Sequence, residues 1–241
     1  MALHIPSSVT LLSYLSSFAF YVQKYIFVYK STQSIFMLIH HTLDEVFRSW
    51  SHVAVLRALL DTTNGFTGNE VARVAGMQPR SAFKALTALE ELGMVRRQRG
   101  GRDHLFTLNR EHFLIRDAIL PLYHSELQFS NVVVTALSTI LKKPVLCAVI
   151  FGSVAREEET PRSDLDLCCM VQKENEKDIV REMLDSESSS LYRKFGVKVA
   201  PVFFTLAEFR QSAKKKNPLI REIIEHGKVI VGKNPKVLLN G

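Results

Sequence analysis

The feature that most constrains this chain is the run from Val145 to Val171. Val145–Phe151 (VLCAVIF) is a nearly continuous apolar stretch, the pattern of a strand buried on both faces. It stops at Gly152-Ser153, and after a polar loop of ten residues Asp164-Leu165-Asp166-Leu167 opens a second strand. Residues i and i+2 of a strand share a face about 6.6 Å apart. Asp164 and Asp166 therefore project side by side, with Leu165 and Leu167 packed behind them. Two like charges that close repel unless a cation lies between them. The pair suits Mg²⁺, a hard ion that takes carboxylate, water and phosphate oxygens. Two such ions, about 3.5–4 Å apart, can clamp the attacking and leaving oxygens of a phosphoryl displacement. Gly152 allows the backbone to approach a phosphate closely, and Ser153 adds a hydroxyl and an N–H at the start of a helical turn. Arg156 and Arg162 in the following loop can neutralise phosphate charge.

The order Gly152-Ser153, ten residues, Asp164-x-Asp166, in the context F-G-S-V-A-R…S-D-L-D-L, resembles the signature of the polymerase-beta-type nucleotidyltransferase superfamily. It is most similar to the minimal and kanamycin-nucleotidyltransferase-like branch. The resemblance spans about residues 144–232. It implies transfer of a nucleoside monophosphate from an NTP to a hydroxyl, with Mg²⁺ (one or two ions) on Asp164 and Asp166. It also implies nucleotide contacts from Gly152, Ser153, Arg156 and Ser163. Active members of that family usually carry a third carboxylate on a later strand. Here the corresponding run, Val197–Phe204, holds no Asp or Glu; its polar member is Lys198, and Glu208 lies beyond it in the next helix. The acceptor proton would then go to Glu208, to a metal-bound hydroxide or to the substrate, or the domain binds nucleotide without turnover.

Charge separates this region from the one before it. The chain carries +7 overall, but residues 47–110 hold ten Arg/Lys against five acids, while residues 111–241 hold nineteen against seventeen. A positive excess concentrated in about a quarter of the chain predicts a polyanion partner for that quarter. Its pattern is helical over His52–Leu60 and over Gly68–Val74, where Thr67 and Glu70 form a capping-box signature. A further helix runs over Arg80–Leu92 and ends at Gly93. Two short strands follow, Met94–Gln98 and His104–Leu108, about a Gly-Gly turn. This order resembles the winged helix-turn-helix domain of prokaryotic regulators. The resemblance implies that Arg80, Ser81 and Lys84 face a DNA or RNA groove, and that Arg96, Arg97, Arg99 and Arg102 on the wing meet phosphates.

The expected architecture is α+β: a winged helix-turn-helix domain followed by a small nucleotidyltransferase-fold α/β domain with a mixed sheet. The expected parts are an apolar N-terminal extension over 1–46, the winged domain over 47–110, a helical connector over 111–143 interrupted near Pro121, and the nucleotidyltransferase domain over 144–241. Residues 1–22 carry no Lys, Arg, Asp or Glu, yet three serines punctuate Leu11–Val22 and Lys24 and Lys30 follow, so a membrane span is not expected. Three cysteines without a C-x-x-C spacing exclude a disulfide framework and fit a reducing, cytoplasmic setting. The competing class is a non-catalytic DNA-binding regulator or antitoxin-like protein whose second domain senses nucleotide or masks a partner toxin.

Overall fold

The computed structural model describes residues 38–100 and 103–240. The apolar segment 1–36 and Arg102 lie outside the described residues. The chain divides into two compact units, the first ending at His124 and the second beginning at Ser125.

In the first unit, α1 (Thr42–Val46) and α2 (Trp50–Leu60) precede a two-residue strand β1 (Phe66–Thr67), α3 (Gly68–Val74) and α4 (Pro79–Glu91). The hairpin of β2 (Val95–Gly100) and β3 (Asp103–Leu108) then completes a three-stranded antiparallel sheet of order β1-β3-β2. The short β1 had no sequence signal, since two residues show no alternation. It exists because Phe66 and Thr67 pair with Phe106 and Leu105. Thr67 then caps α3 as its pattern predicts: its hydroxyl accepts the Glu70 N–H while the Glu70 carboxylate accepts the Thr67 N–H at 2.8 Å. Gln78 occupies the N-cap of α4 without a side-chain bond, and Pro79 supplies the preset first-turn geometry instead. Leu56 and Leu59 of α2, Leu86 and Leu89 of α4 and Phe106 of β3 form the core.

A π-helical turn (Ile115–Ile119) runs directly into α5 (Leu120–Ile140). The helix is not interrupted at Pro121. Proline lacks an N–H and its ring crowds the preceding turn, so the widened turn just before it is where such a residue is tolerated.

The second unit is built on a mixed sheet of order β6-β5-β4-β7. Its elements are β4 (Cys147–Phe151), α6 (Gly152–Arg156), β5 (Leu165–Val171), α7 (Glu176–Phe195), β6 (Val199–Thr205), α8 (Leu206–Lys214), α9 (Pro218–His226), β7 (Lys228–Gly232) and α10 (Pro235–Asn240). β5 runs antiparallel to β4 and parallel to β6, with α7 as the crossover. β4 is buried at all five positions because the sheet is covered on both sides. Leu165, Leu167 and Cys169 join Val180, Leu184 and Leu137 on one face. Cys168 and Met170 join Phe209, Ile220 and Ile223 on the other. The two adjacent cysteines thus pack to opposite sides, and burial pushes the Cys169 thiol up to about 12, which removes it from thiolate chemistry.

Candidate functional site

The site forms where β4 ends and β5 begins. Asp166 pairs in register with Phe151 on one side and with Ala200 on the other. Gly152, the next residue after Phe151, turns the chain into α6 with φ +72°, a conformation that glycine adopts at no steric cost. A β-carbon there would stand 2.2 Å from Asp166 Oδ2. The glycine therefore lets the backbone press directly against the carboxylate. By strand alternation Asp166 shares the face of Cys168 and Met170, beneath α8 and α9.

Asp164 sits one residue before β5 and is half-buried, as is Asp166. Its Oδ2 lies 3.4 Å from the Lys198 Nζ. The Leu165 N–H donates to the Lys198 carbonyl at 2.8 Å, which holds these two backbones abreast. The ten-residue gap is an ordered loop: Glu158 N–H donates to the Ser153 carbonyl at 2.9 Å, and Thr160 N–H to the Ser163 hydroxyl at 3.0 Å. Ser163 thus closes the loop just before the carboxylates.

Electrostatics tie the site to a residue with no local sequence signal. The Asp166 carboxyl is held above the usual range, first by burial and then by the charges of Glu222 and Asp164, with Arg156 opposing. Glu222 comes from α9, which packs on α6 and β4 through Ile220 and Ile223. Arg156, at the end of α6, hydrogen-bonds Glu222 and also Glu158, the latter at 2.9 Å. Only the tertiary fold brings Glu222 to Asp166.

Glu208 does not reach this site. It lies just past Thr205, which pairs with Val171 at the opposite end of β5 from Asp164. There it closes a capping box with Thr205 and an ion pair with Lys177 at 2.6 Å, contacts that hold its carboxyl below the usual range. The third acid is therefore absent from β6 and is not supplied by Glu208.

Among the described residues no group of three or more His, Cys, Asp or Glu side chains is arranged to hold a metal ion by itself. Two carboxylates leave a cation needing outside ligands, which matches the way Mg²⁺ is commonly bound through one or two carboxylates, water and phosphates. A separate cavity of about 350 Å³ lies on the opposite face of the sheet, floored by Val133, Ile150, Val154 and Leu165, with Ser163 and Lys198 at its rim.

In the first unit Arg80, Ser81 and Lys84 are exposed on α4, with Arg80 and Lys84 at the i,i+4 spacing that shares a face. Arg96 and Arg97 on β2 are exposed but engaged, with Glu111 and with Glu90 (3.1 Å) respectively. Arg99 is exposed opposite His104.

Residues 136–236 match the family described as "Polymerase beta, Nucleotidyltransferase". That segment is a polymerase beta nucleotidyltransferase domain. It contains the whole four-stranded sheet with Gly152, Ser153, Asp164 and Asp166. Two solved structures similar to part of the chain are described as "Crystal structure of the toxin-antitoxin with AMP-PNP" and as a mutant of the toxin-antitoxin MntA-HpeT. The first is 19% identical, covering 46% of this chain and 80% of that one with a TM-score of 0.31. The second is 16% identical, covering 44% and 80%, also with a TM-score of 0.31. None of the curated proteins is significantly similar to this chain. No helix among the described residues is long and apolar enough to cross a membrane.

Proposed function

We propose that the nucleotidyltransferase domain moves a nucleoside monophosphate from an NTP to a hydroxyl acceptor. We also propose that the first unit is a winged helix-turn-helix that recruits nucleic acid. The observation that carries the first part is the close approach of Gly152 to Asp166, with Asp164 beside it and Ser153 second in α6. Asp164 and Asp166 would hold Mg²⁺, and the ion would supply positive charge to a triphosphate that the protein's own groups only partly neutralise. Gly152 lets the backbone of the turn lie directly against the Asp166 carboxylate, so that a phosphate chain bound at the turn would lie close to the cation that the carboxylates would hold. Ser153 adds a hydroxyl and an N–H, both suited to phosphate oxygens. Arg156 is near enough to Asp166 to affect its ionisation and can exchange Glu158 or Glu222 for a phosphate. Attack of the acceptor oxygen on the α-phosphorus breaks the bond to the oxygen that bridges to the β-phosphate and releases pyrophosphate. With Glu208 away from the site, the hydroxyl proton passes to hydroxide or to a group of the substrate.

The winged-helix reading is supported by the helix order α2, α3, α4, by the hairpin that follows, and by exposed Arg80, Lys84 and Arg99. Cations placed on exposed helix and hairpin positions suit phosphate contacts, which dominate affinity for nucleic acid.

Incubation with labelled NTPs, Mg²⁺ and candidate acceptors, beside an Asp164→Ala/Asp166→Ala variant, tests the enzyme. Label transferred by the native chain and lost in the variant is the expected result. Absence of transfer with every acceptor, while nucleotide still binds, would favour the second reading. That reading is a DNA-binding regulator whose second domain senses nucleotide or binds a partner protein. The specific observation behind it is that Lys198, just before β6, and Ala200 within it stand beside the carboxylate pair where the strand carries no acid.

A further inference from the structure

β5 and β6 run parallel in a register that sets Val199 beside Leu165 and Ala200 beside Asp166. The hydrogen bond from the Leu165 N–H to the Lys198 carbonyl carries that register back one residue, so Lys198 stands abreast of Asp164. On the other side of Asp166 the neighbours are Phe151 and Gly152. The strand flanking the carboxylate pair therefore offers it one cation and one methyl group.

We propose that the Lys198 ammonium serves as a built-in second cation, so that the domain holds a single divalent ion between Asp164, Asp166 and the nucleotide phosphates. The proposal rests on the nucleotidyl-transfer reading above and deepens it. An ion bound to two carboxylates and phosphates needs no third side chain. A second ion would need further oxygen ligands, whereas beside Asp164 the structure places an ammonium 3.4 Å from Oδ2. That charge repels an incoming divalent ion and occupies one of its ligands. Such a pair contributes little to stability, because both side chains are substantially exposed, Lys198 at 74% and Asp164 at 43%. Its effect falls on what Asp164 can bind. Arg156 is not the cation at this place, since its ion pairs are with Glu158 and with Glu222 of α9 and not with Asp164.

The test counts ions on the full chain with Mn²⁺ as the probe and a non-hydrolysable NTP analogue, reading free Mn²⁺ by electron paramagnetic resonance. The native chain retains one ion per molecule with the nucleotide, and Lys198→Asp retains two. Lys198→Met, which keeps the stem and removes the charge, still retains one but binds it several-fold more tightly, because nothing competes for Asp164. Circular dichroism on both variants separates these effects from unfolding, and the Met variant provides an answer if the Asp variant does not fold. Two ions on the native chain, one ion on a folded Lys198→Asp, or unchanged affinity in Lys198→Met overturns the proposal while leaving nucleotidyl transfer in place. No ion retained with the analogue overturns both.

Discussion

In the first unit the cations outnumber the acids, and Arg80, Lys84 and Arg99 are exposed with no carboxylate against them among the described ion pairs. In the second unit each cation close to the carboxylate pair already holds a carboxylate, Lys198 with Asp164, Arg156 with both Glu158 and Glu222, and Lys228 with Glu157, while Asp166 has no ion-pair partner among the described ion pairs. The difference teaches what each surface is built to respond to. Unpaired cations at the surface respond to any polyanion and to salt, through counterion release. Cations already engaged by carboxylates, beside an aspartate left without one, respond to a specific ligand that exchanges one partner for another, and to pH.

That contrast can be broken experimentally, and the largest expected effect is at the carboxylates. If both proposals hold, replacing Asp164 and Asp166 together with Ala abolishes the proposed label transfer from NTP while leaving the proposed nucleic-acid binding by the first unit intact. Loss of both activities together would dissolve the division of labour. Next comes the pair of glycines. Gly152→Ala forces a β-carbon against Asp166 at positive φ and is expected to cost roughly 2–4 kcal/mol. Gly76→Ala has a similar φ of +63° but nothing within 4 Å, and is expected to cost about 1 kcal/mol. Urea midpoints for the two variants give the comparison directly.

Smaller effects sharpen it further. Each of Arg80→Ala, Lys84→Ala and Arg99→Ala should lower the slope of log affinity against log salt for nucleic acid by about 1. Arg96→Ala and Arg97→Ala should lower it less, since those side chains already have carboxylate partners. For pH the sign follows from the raised Asp166. An acid held above its usual range must lose its proton before it can hold a cation, so divalent-ion binding weakens on acidification earlier than for an ordinary aspartate. Glu222→Gln removes one of the charges responsible and should move that acid limb to lower pH, measured by Mn²⁺ affinity across a pH series. Last, Thr67→Ala and Thr205→Ala each remove half of a capping box, at about 1 kcal/mol apiece. Equal losses would show that local helix capping is indifferent to the electrostatic contrast between the units.

Local patterns were readable wherever neighbours in the chain supply the physics. The Thr67–Glu70 box and the apolar run Cys147–Phe151 both depend on residues a few positions apart. Boundaries shifted where pairing decided them, as for β1, which exists only through Phe106 and Leu105. The pattern around Pro121 points to an interrupted connector, whereas in the structure the proline follows a π turn inside a continuous helical run, a backbone adjustment that no residue type announces.

The carboxylate site divides along the same line. The sequence alone determined that Asp164 and Asp166 stand together after a glycine-led turn, because strand periodicity and the permissive backbone of glycine are local properties. It also determined that β6 carries no acid. Only the tertiary structure decided what surrounds the pair: Lys198 through the parallel register of β5 and β6, and Glu222 through the packing of α9 on α6 and β4. Charges act through space at distances set by packing, and the chain separates these residues by tens of positions. Their influence on Asp164 and Asp166 therefore became visible once the sheet and its covering helices were assembled.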